Sequence, residues 1–166
     1  MQIDNFKEMY FAELSELHDS ERRMADALTR MAAKASHDDL KQALLKHRDE
    51  TQAQRDRVRA ILDGHGYNPD AHQDQAMAHL IEEAEKMMGI LQSGNLVDAG
   101  LIASAQKIEH YEIAAYGTVA SYAGVLGLTG DQSELHAILD EEKATDQRLT
   151  TLATTVVNQD AVGRAA

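Results

Sequence analysis

No cysteine and no tryptophan occur among the 166 residues, proline appears once, and aromatics make up 4% of the chain. Without cysteine there are no disulfides and no thiolate ligands, so a metal site here would have to use oxygen and imidazole donors. That composition is compatible with the cytoplasm, where the protein is expected to reside. One proline and ten glycines leave few residues that interrupt a helix. No run of alternating β-branched residues is long enough to suggest a sheet. The apolar runs are too short to cross a bilayer, and no basic-then-apolar signal opens the chain, so no membrane partner is expected. Basic charge is also scarce: 16 Lys and Arg stand against 28 Asp and Glu, a formal charge of −12. There is no basic stripe to neutralise phosphates, which argues against nucleic acid.

What remains is a helix-forming composition of single-domain length, large enough to bury a substantial core. Punctuation predicts four long helices and a shorter one. The first runs from about Asp4 to Lys34. Ser36, with Asp39 three residues on, resembles a capping box opening the second, which ends at Gly64-His65-Gly66. A shorter amphipathic helix covers about Asp74 to Leu91. A third long helix runs from about Val97 to Leu126, and the fourth from about Asp131 to Asn158. Two short-looped hairpins joined by some thirty residues match an all-α, ferritin-like four-helix bundle, with a long crossover carrying a short fifth helix. The bundle is expected to occupy residues 1–160, with a disordered tail over 161–166.

The apolar stripe of each long helix is broken near its middle by polar residues. The first reads Tyr10, Leu14, Leu17, Glu21, Met24, Leu28, and the second Leu40, Leu44, His47, Glu50 or Thr51, Gln54, Val58. The third reads Ile102, Ala105, Glu109, Glu112, Tyr116, Val119, and the fourth Leu135, Leu139, Glu142, Asp146, Leu149. Several carboxylates at one level of a dry core cannot all stay ionised, since each costs several kcal/mol to desolvate. A multivalent cation removes the conflict.

Register supports a shared level. Residues equidistant from the turn of an antiparallel hairpin lie at one height. Glu21 and Glu50 are centred on position 35.5, as are Met24 and His47; Glu112 and Glu142 are centred on 127, and Glu109 and Asp146 on 127.5. Residues three or four apart share a helix face, so Glu109/Glu112 and Glu142/Asp146 each offer two donors. Hard metals such as iron and manganese take carboxylate oxygens and imidazole, and two ions need about four to six protein donors. The expected cofactors are therefore two metal ions, iron or manganese, held by Glu21, His47, Glu50, Glu109, Glu112, Glu142 and Asp146. Helix phase leaves open whether Glu50 or Thr51 points inward. His47 would bind metal or hydrogen-bond a ligand carboxylate, and Asp146 would bind metal or pair with Arg148 or Lys143. His110 is expected to support the site or an interface. Tyr10 and Tyr116 are expected as core aromatics, and His18, His37, His65, His72, His79 and His136 as solvated. The Glu-x-x-His pairs of ferritins are missing, because Ala53 follows Glu50 by three and Thr145 follows Glu142 by three.

Ile81-Glu82-Glu83-Ala84-Glu85, the long segment Ala105-Gln106-Lys107-Ile108-Glu109-His110-Tyr111-Glu112-Ile113-Ala114-Ala115-Tyr116-Gly117-Thr118, and Glu141-Glu142-Lys143-Ala144-Thr145-Asp146 resemble the YciE/YciF family of ferritin-like proteins. So do Asp19-Ser20-Glu21-Arg22 and His47-Arg48-Asp49-Glu50-Thr51, with Asp49 where the family more often has Glu. The resemblance covers about residues 5 to 155. It implies a ferritin-like bundle, usually dimeric, with two metal ions and a bacterial stress-response setting. It places Glu21, Glu50, Glu109, Glu112, Glu142 and Asp146, with His47, in metal-site positions.

Two classes of function follow. One is a di-iron or di-manganese oxidoreductase acting on a small oxidant, peroxide or oxygen. The other is a non-catalytic bundle that sequesters metal or docks to a partner. A homodimer is also expected. The crossover helix carries Met77, Leu80, Ile81 and Met88, and the third long helix has a second line through Tyr111, Ile113, Tyr122 and Val125.

Overall fold

Helix ends fall where the local sequence can satisfy free backbone groups. In the computed structural model, which describes residues 3–163, α1 spans Phe6–Lys34, α2 Asp38–Gly64, α3 Gln75–Ile90, α4 Gly94–Val125 and α5 Thr129–Leu152. A π-helical turn, Ala153–Val157, leads into α6, Asn158–Gly163. No strand occurs among the described residues. Asn5 caps α1 by accepting from the Glu8 amide, Asp74 caps α3 through the Met77 amide, and Ser93 caps α4 through the Leu96 amide. Two C-termini close on a glycine in the left-handed region, Gly66 (φ 76°) and Gly127 (φ 72°). The amide beyond each bonds back across the turn, Tyr67 to the Leu62 carbonyl and Leu128 to that of Ala123, both at 2.9 Å.

The capping box expected at Ser36 does not form. His37 occupies the cap position of α2 without a side-chain cap bond. Asp98 from α4 instead accepts from the Ser36 and His37 amides at 2.7 and 3.0 Å. A carboxylate meets two free amides at a helix N-terminus better than one hydroxyl does, and it ties the α1–α2 turn to α4. The chain stays helical through Gly163, where a tail was expected from 161. Asn95 Nδ2 donates to the Asp160 carbonyl at 2.9 Å and holds this end against α4. Residues 164–166 of the expected tail lie outside the described residues.

Helix direction follows from named contacts. Phe6 packs on Tyr122 while Asp98 meets the turn after α1, so α1 and α4 are antiparallel. Arg57 pairs with Glu134, and Glu50 pairs with Arg148, so α2 and α5 are antiparallel too. Hence α2 and α4 run the same way, and the connection between them, residues 65–93, must return along the bundle. This is the ferritin-like, all-α arrangement with α3 on its crossover. A buried network fastens α3: Tyr111 donates to Asp74 at 2.7 Å, the Asp74 amide donates to Asp19 at 3.0 Å, and Arg22 and Arg23 hold Asp19.

The core is divided in two. One apolar cluster includes Met24, Leu28, Leu44, Met77, Leu101, Ile108 and Leu149; the other includes Tyr10, Leu14, Leu17, Val58, Tyr116 and Leu139. Between them, each of the four long helices crosses the same level with polar residues. His18, expected to be solvated, is buried, its Nδ1 3.5 Å from Asp70. The crossover loop covers that face of α1, pinned by the Ser15 hydroxyl donating to the Pro69 carbonyl at 2.9 Å.

Candidate metal centre

The polar layer is built one helix at a time. In α1, Ser20 and Glu21 lie between Leu17 and Met24; in α2, His47, Thr51 and Gln54 lie between Leu44 and Val58. In α4, Glu109 and Glu112 lie between Ile108 and Tyr116, and in α5 Glu142 and Thr145 lie between Leu139 and Leu149. All nine polar residues are buried, Ser20, Glu21, Thr51, Glu109, Glu112 and Glu142 completely.

Ligand-type atoms of His47, Glu109 and Glu142 lie within 4.8 Å of one another. His47 Nε2 lies 2.6 Å from Glu109 Oε1, without the alignment of a hydrogen bond. Glu21 and Glu112 join the group through short-range partners. The Tyr116 hydroxyl donates to Glu21 Oε1, and the Ser20 hydroxyl donates to Glu112 Oε1 at 3.1 Å. The structure thus brings Glu21, His47, Glu109, Glu112 and Glu142 into one buried layer.

Glu50 and Asp146 stand at its rim. The Glu50 side chain is 29% exposed and held by Arg148 at 2.8 Å and Lys46 at 3.2 Å. Asp146 is 21% exposed and accepts from Gln106 at 2.9 Å, with His110 Nε2 3.4 Å away. Thr51, not Glu50, takes the inward position on α2, because one residue rotates the side chain by about 100°. Spacing alone does not mark Ser20 or Thr51 as site groups, although Thr51 falls on the core stripe of α2. The one signal for Ser20 was its place beside Glu21, since a hydroxyl there can only be assigned a partner once α4 is in place.

Burial dominates the electrostatics. It pushes Glu109 up to about 8, and it holds Glu21, Glu112 and Glu142 well above the usual carboxylate range. Neighbouring carboxylates add to this, Glu112 acting on Glu21, Glu142 on Glu112, and Glu21 on Glu142. Desolvation lowers His47 and raises the Tyr116 phenol. Protons would therefore neutralise the layer where no cation does.

Whether these residues fit a metal is answered by their unused atoms. Glu21 Oε2, Glu112 Oε2, both carboxylate oxygens of Glu109 and Glu142, and both ring nitrogens of His47 are buried with no hydrogen-bond partner. Native interiors rarely leave so many polar atoms unpaired in one place. A hard cation takes oxygen and imidazole lone pairs of this kind. The buried His and Glu group fits a metal site.

A family model described as a domain of unknown function (DUF892) matches residues 5–162. Protein YciF of Escherichia coli K12 is 36% identical over 166 residues, covering 99% of this chain and 100% of that one. The crystal structure of the E. coli stress protein YciF superposes with a TM-score of 0.89 at 36% identity, covering 95% of this chain and 99% of that one. YcfI from Rhodopseudomonas palustris gives 0.87 at 33% identity, covering 90% and 96%. A protein from Xanthomonas campestris pv. campestris, at 18% identity and a TM-score of 0.73 over 95% and 96% of the two chains, shares the fold.

Proposed function

The chain belongs to the DUF892 family that includes the YciF-like stress proteins, and from that premise we propose that it holds a dinuclear iron or manganese centre reacting with peroxide or oxygen. The observation that carries this reading is the set of unpartnered buried donor atoms contributed by all four long helices. Glu21, His47, Glu109, Glu112 and Glu142 would be the inner ligands, one imidazole and four carboxylates. Glu50 and Asp146 would complete the set from the rim, which requires Glu50 to leave Arg148 and Asp146 to leave Gln106. Five to seven donors suffice for two ions.

Iron or manganese bound there would supply one-electron redox chemistry and a Lewis-acidic position for a small oxidant. The protein's own part is positional. Tyr116 fixes one oxygen of Glu21 and leaves the other free, and Ser20 does the same for Glu112. The apolar clusters on either side exclude water and strengthen every charge interaction in the layer. Arg148, bonded to Glu50 and Thr145, lies close enough to favour the ionised form of Glu109 and the neutral form of His47, the forms that bind a cation.

Elemental analysis of protein purified without added metal, followed by peroxide consumption with and without oxygen, tests this reading. About two equivalents of iron or manganese with turnover is the expected result. Metal without turnover favours the alternative, a sequestering or partner-docking bundle, and no metal contradicts both metal readings.

A further inference from the structure

The layer is asymmetric. Carboxylates enter it from α1, α4 and α5, but α2 contributes His47 and then, one and two turns further, only the uncharged Thr51 and Gln54. Residues 47, 51 and 54 share one face of α2. Thr51 pairs with Ser20 across the α1–α2 hairpin, both being equidistant from position 35.5, so it stands at the height of the Glu21 and Glu112 partners.

Thr51 Oγ1 and Gln54 Oε1 are both buried without a hydrogen-bond partner, in residues 0% and 1% exposed. For a helical threonine this is unusual, because the hydroxyl can return to the carbonyl four residues back. Thr29, Thr118, Thr151, Thr154 and Thr155 each do so, at 2.7–3.0 Å. Thr51 does not. Gln54 uses its amide nitrogen on Glu141 at 3.1 Å, which fixes the side chain and leaves its carbonyl oxygen free.

We propose that Thr51 and Gln54 form the binding site for a small oxygen ligand of the centre, of the water, hydroxide or hydroperoxide class. A threonine hydroxyl donates to a ligand oxygen, and a glutamine carbonyl accepts from a ligand O–H, so the pair matches a ligand that carries both functions. Their neutrality suits the role, because a fifth carboxylate, placed on this wall, would repel an anion. The remaining walls supply charge for cations, and this one supplies a place for what cations bind besides protein.

The proposal rests on the metal reading above, and the test separates the two. Cobalt(II) is loaded into the wild type, Thr51→Val and Thr51→Ser, its stoichiometry is measured, and azide is titrated against the visible cobalt spectrum. Azide, a small anion without a donor, reads the Thr51 half of the site. The expected result is equal cobalt in all three, azide binding about tenfold weaker in Thr51→Val, and near wild-type binding in Thr51→Ser. Wild-type protein that takes up no cobalt overturns the metal reading and this site with it. Cobalt-loaded wild type that ignores azide, or Thr51→Val that binds azide as the wild type does, overturns the ligand site alone. Loss of cobalt from Thr51→Val would make Thr51 part of cation binding itself and would also overturn it.

Discussion

His47 Nε2 on α2 and Glu109 Oε1 on α4 meet at 2.6 Å in the dry centre of the bundle without the alignment of a hydrogen bond. Two strong polar atoms that converge and do not bond each other are placed for a third partner. Burial lowers the basicity of the imidazole and raises the carboxyl, so neither gains a charge from the other. A shared cation would satisfy both. This contact and the free oxygens of Glu142 form the nucleus of the proposed site.

Metal-free protein should lose stability as pH rises from about 4.5 towards 8. Glu109 in the folded state titrates at about 8, above its unfolded value, so in that window the folded chain holds a proton the unfolded chain has lost. Stability then falls with rising pH, by up to about 1.4 kcal/mol per pH unit for each such proton. Glu21, Glu112 and Glu142 shift in the same direction and steepen the loss. Urea midpoints between pH 5 and 8 measure it, and Glu109→Gln should flatten the slope while metal-loaded protein shows less of it. A wild-type midpoint that climbs across this range contradicts the buried cluster.

Which parts of this were readable beforehand follows from how local each signal is. Helix ends at Gly66 and Gly127, and the mid-helix level of Glu21, Glu109, Glu112 and Glu142, depend on nearby residues and a period of 3.6, and they stand where expected. The choice between Glu50 and Thr51 turned on one residue of phase, which an amphipathic pattern with a polar centre does not resolve. Asp98 at the α2 N-terminus, Asp74 beneath Tyr111 and the burial of His18 join residues more than thirty apart in sequence. They exist only once the crossover has folded over α1 and α4.

Arg148→Ala should tighten divalent cation binding several-fold, because freeing Glu50 and removing a fixed positive charge outweigh the lost bias of Glu109 and His47 towards their cation-binding forms. Its guanidinium is a fixed positive charge beside the layer and occupies Glu50, which the proposal enlists as a ligand. The stability cost should be about 0–1 kcal/mol, since the pair is part-exposed. Competition against a chelator measures the affinity. Weaker binding in the variant would show that Arg148 positions a ligand rather than opposing the cation.

Assembly is expected to be dimeric. Much of the apolar surface anticipated on the crossover is used within the chain, for Met77 and Ile81 are buried and Leu80 and Met88 pack on the core. Val125 at 75% exposed, Ile90 at 56% and Leu96 at 44% remain on the outside. Sedimentation equilibrium at micromolar concentration should return twice the chain mass of 18.3 kDa. A single-chain mass throughout would refute the dimer.

The most direct measurement is metal stoichiometry in three variants expressed identically without added metal. Glu112→Ala and Glu142→Ala each remove a fully buried donor, whereas Glu82→Ala removes an exposed carboxylate from α3. The account predicts about two ions per chain in the wild type and in Glu82→Ala, with a clear drop in both core variants. Unchanged metal content in Glu112→Ala and Glu142→Ala would contradict it.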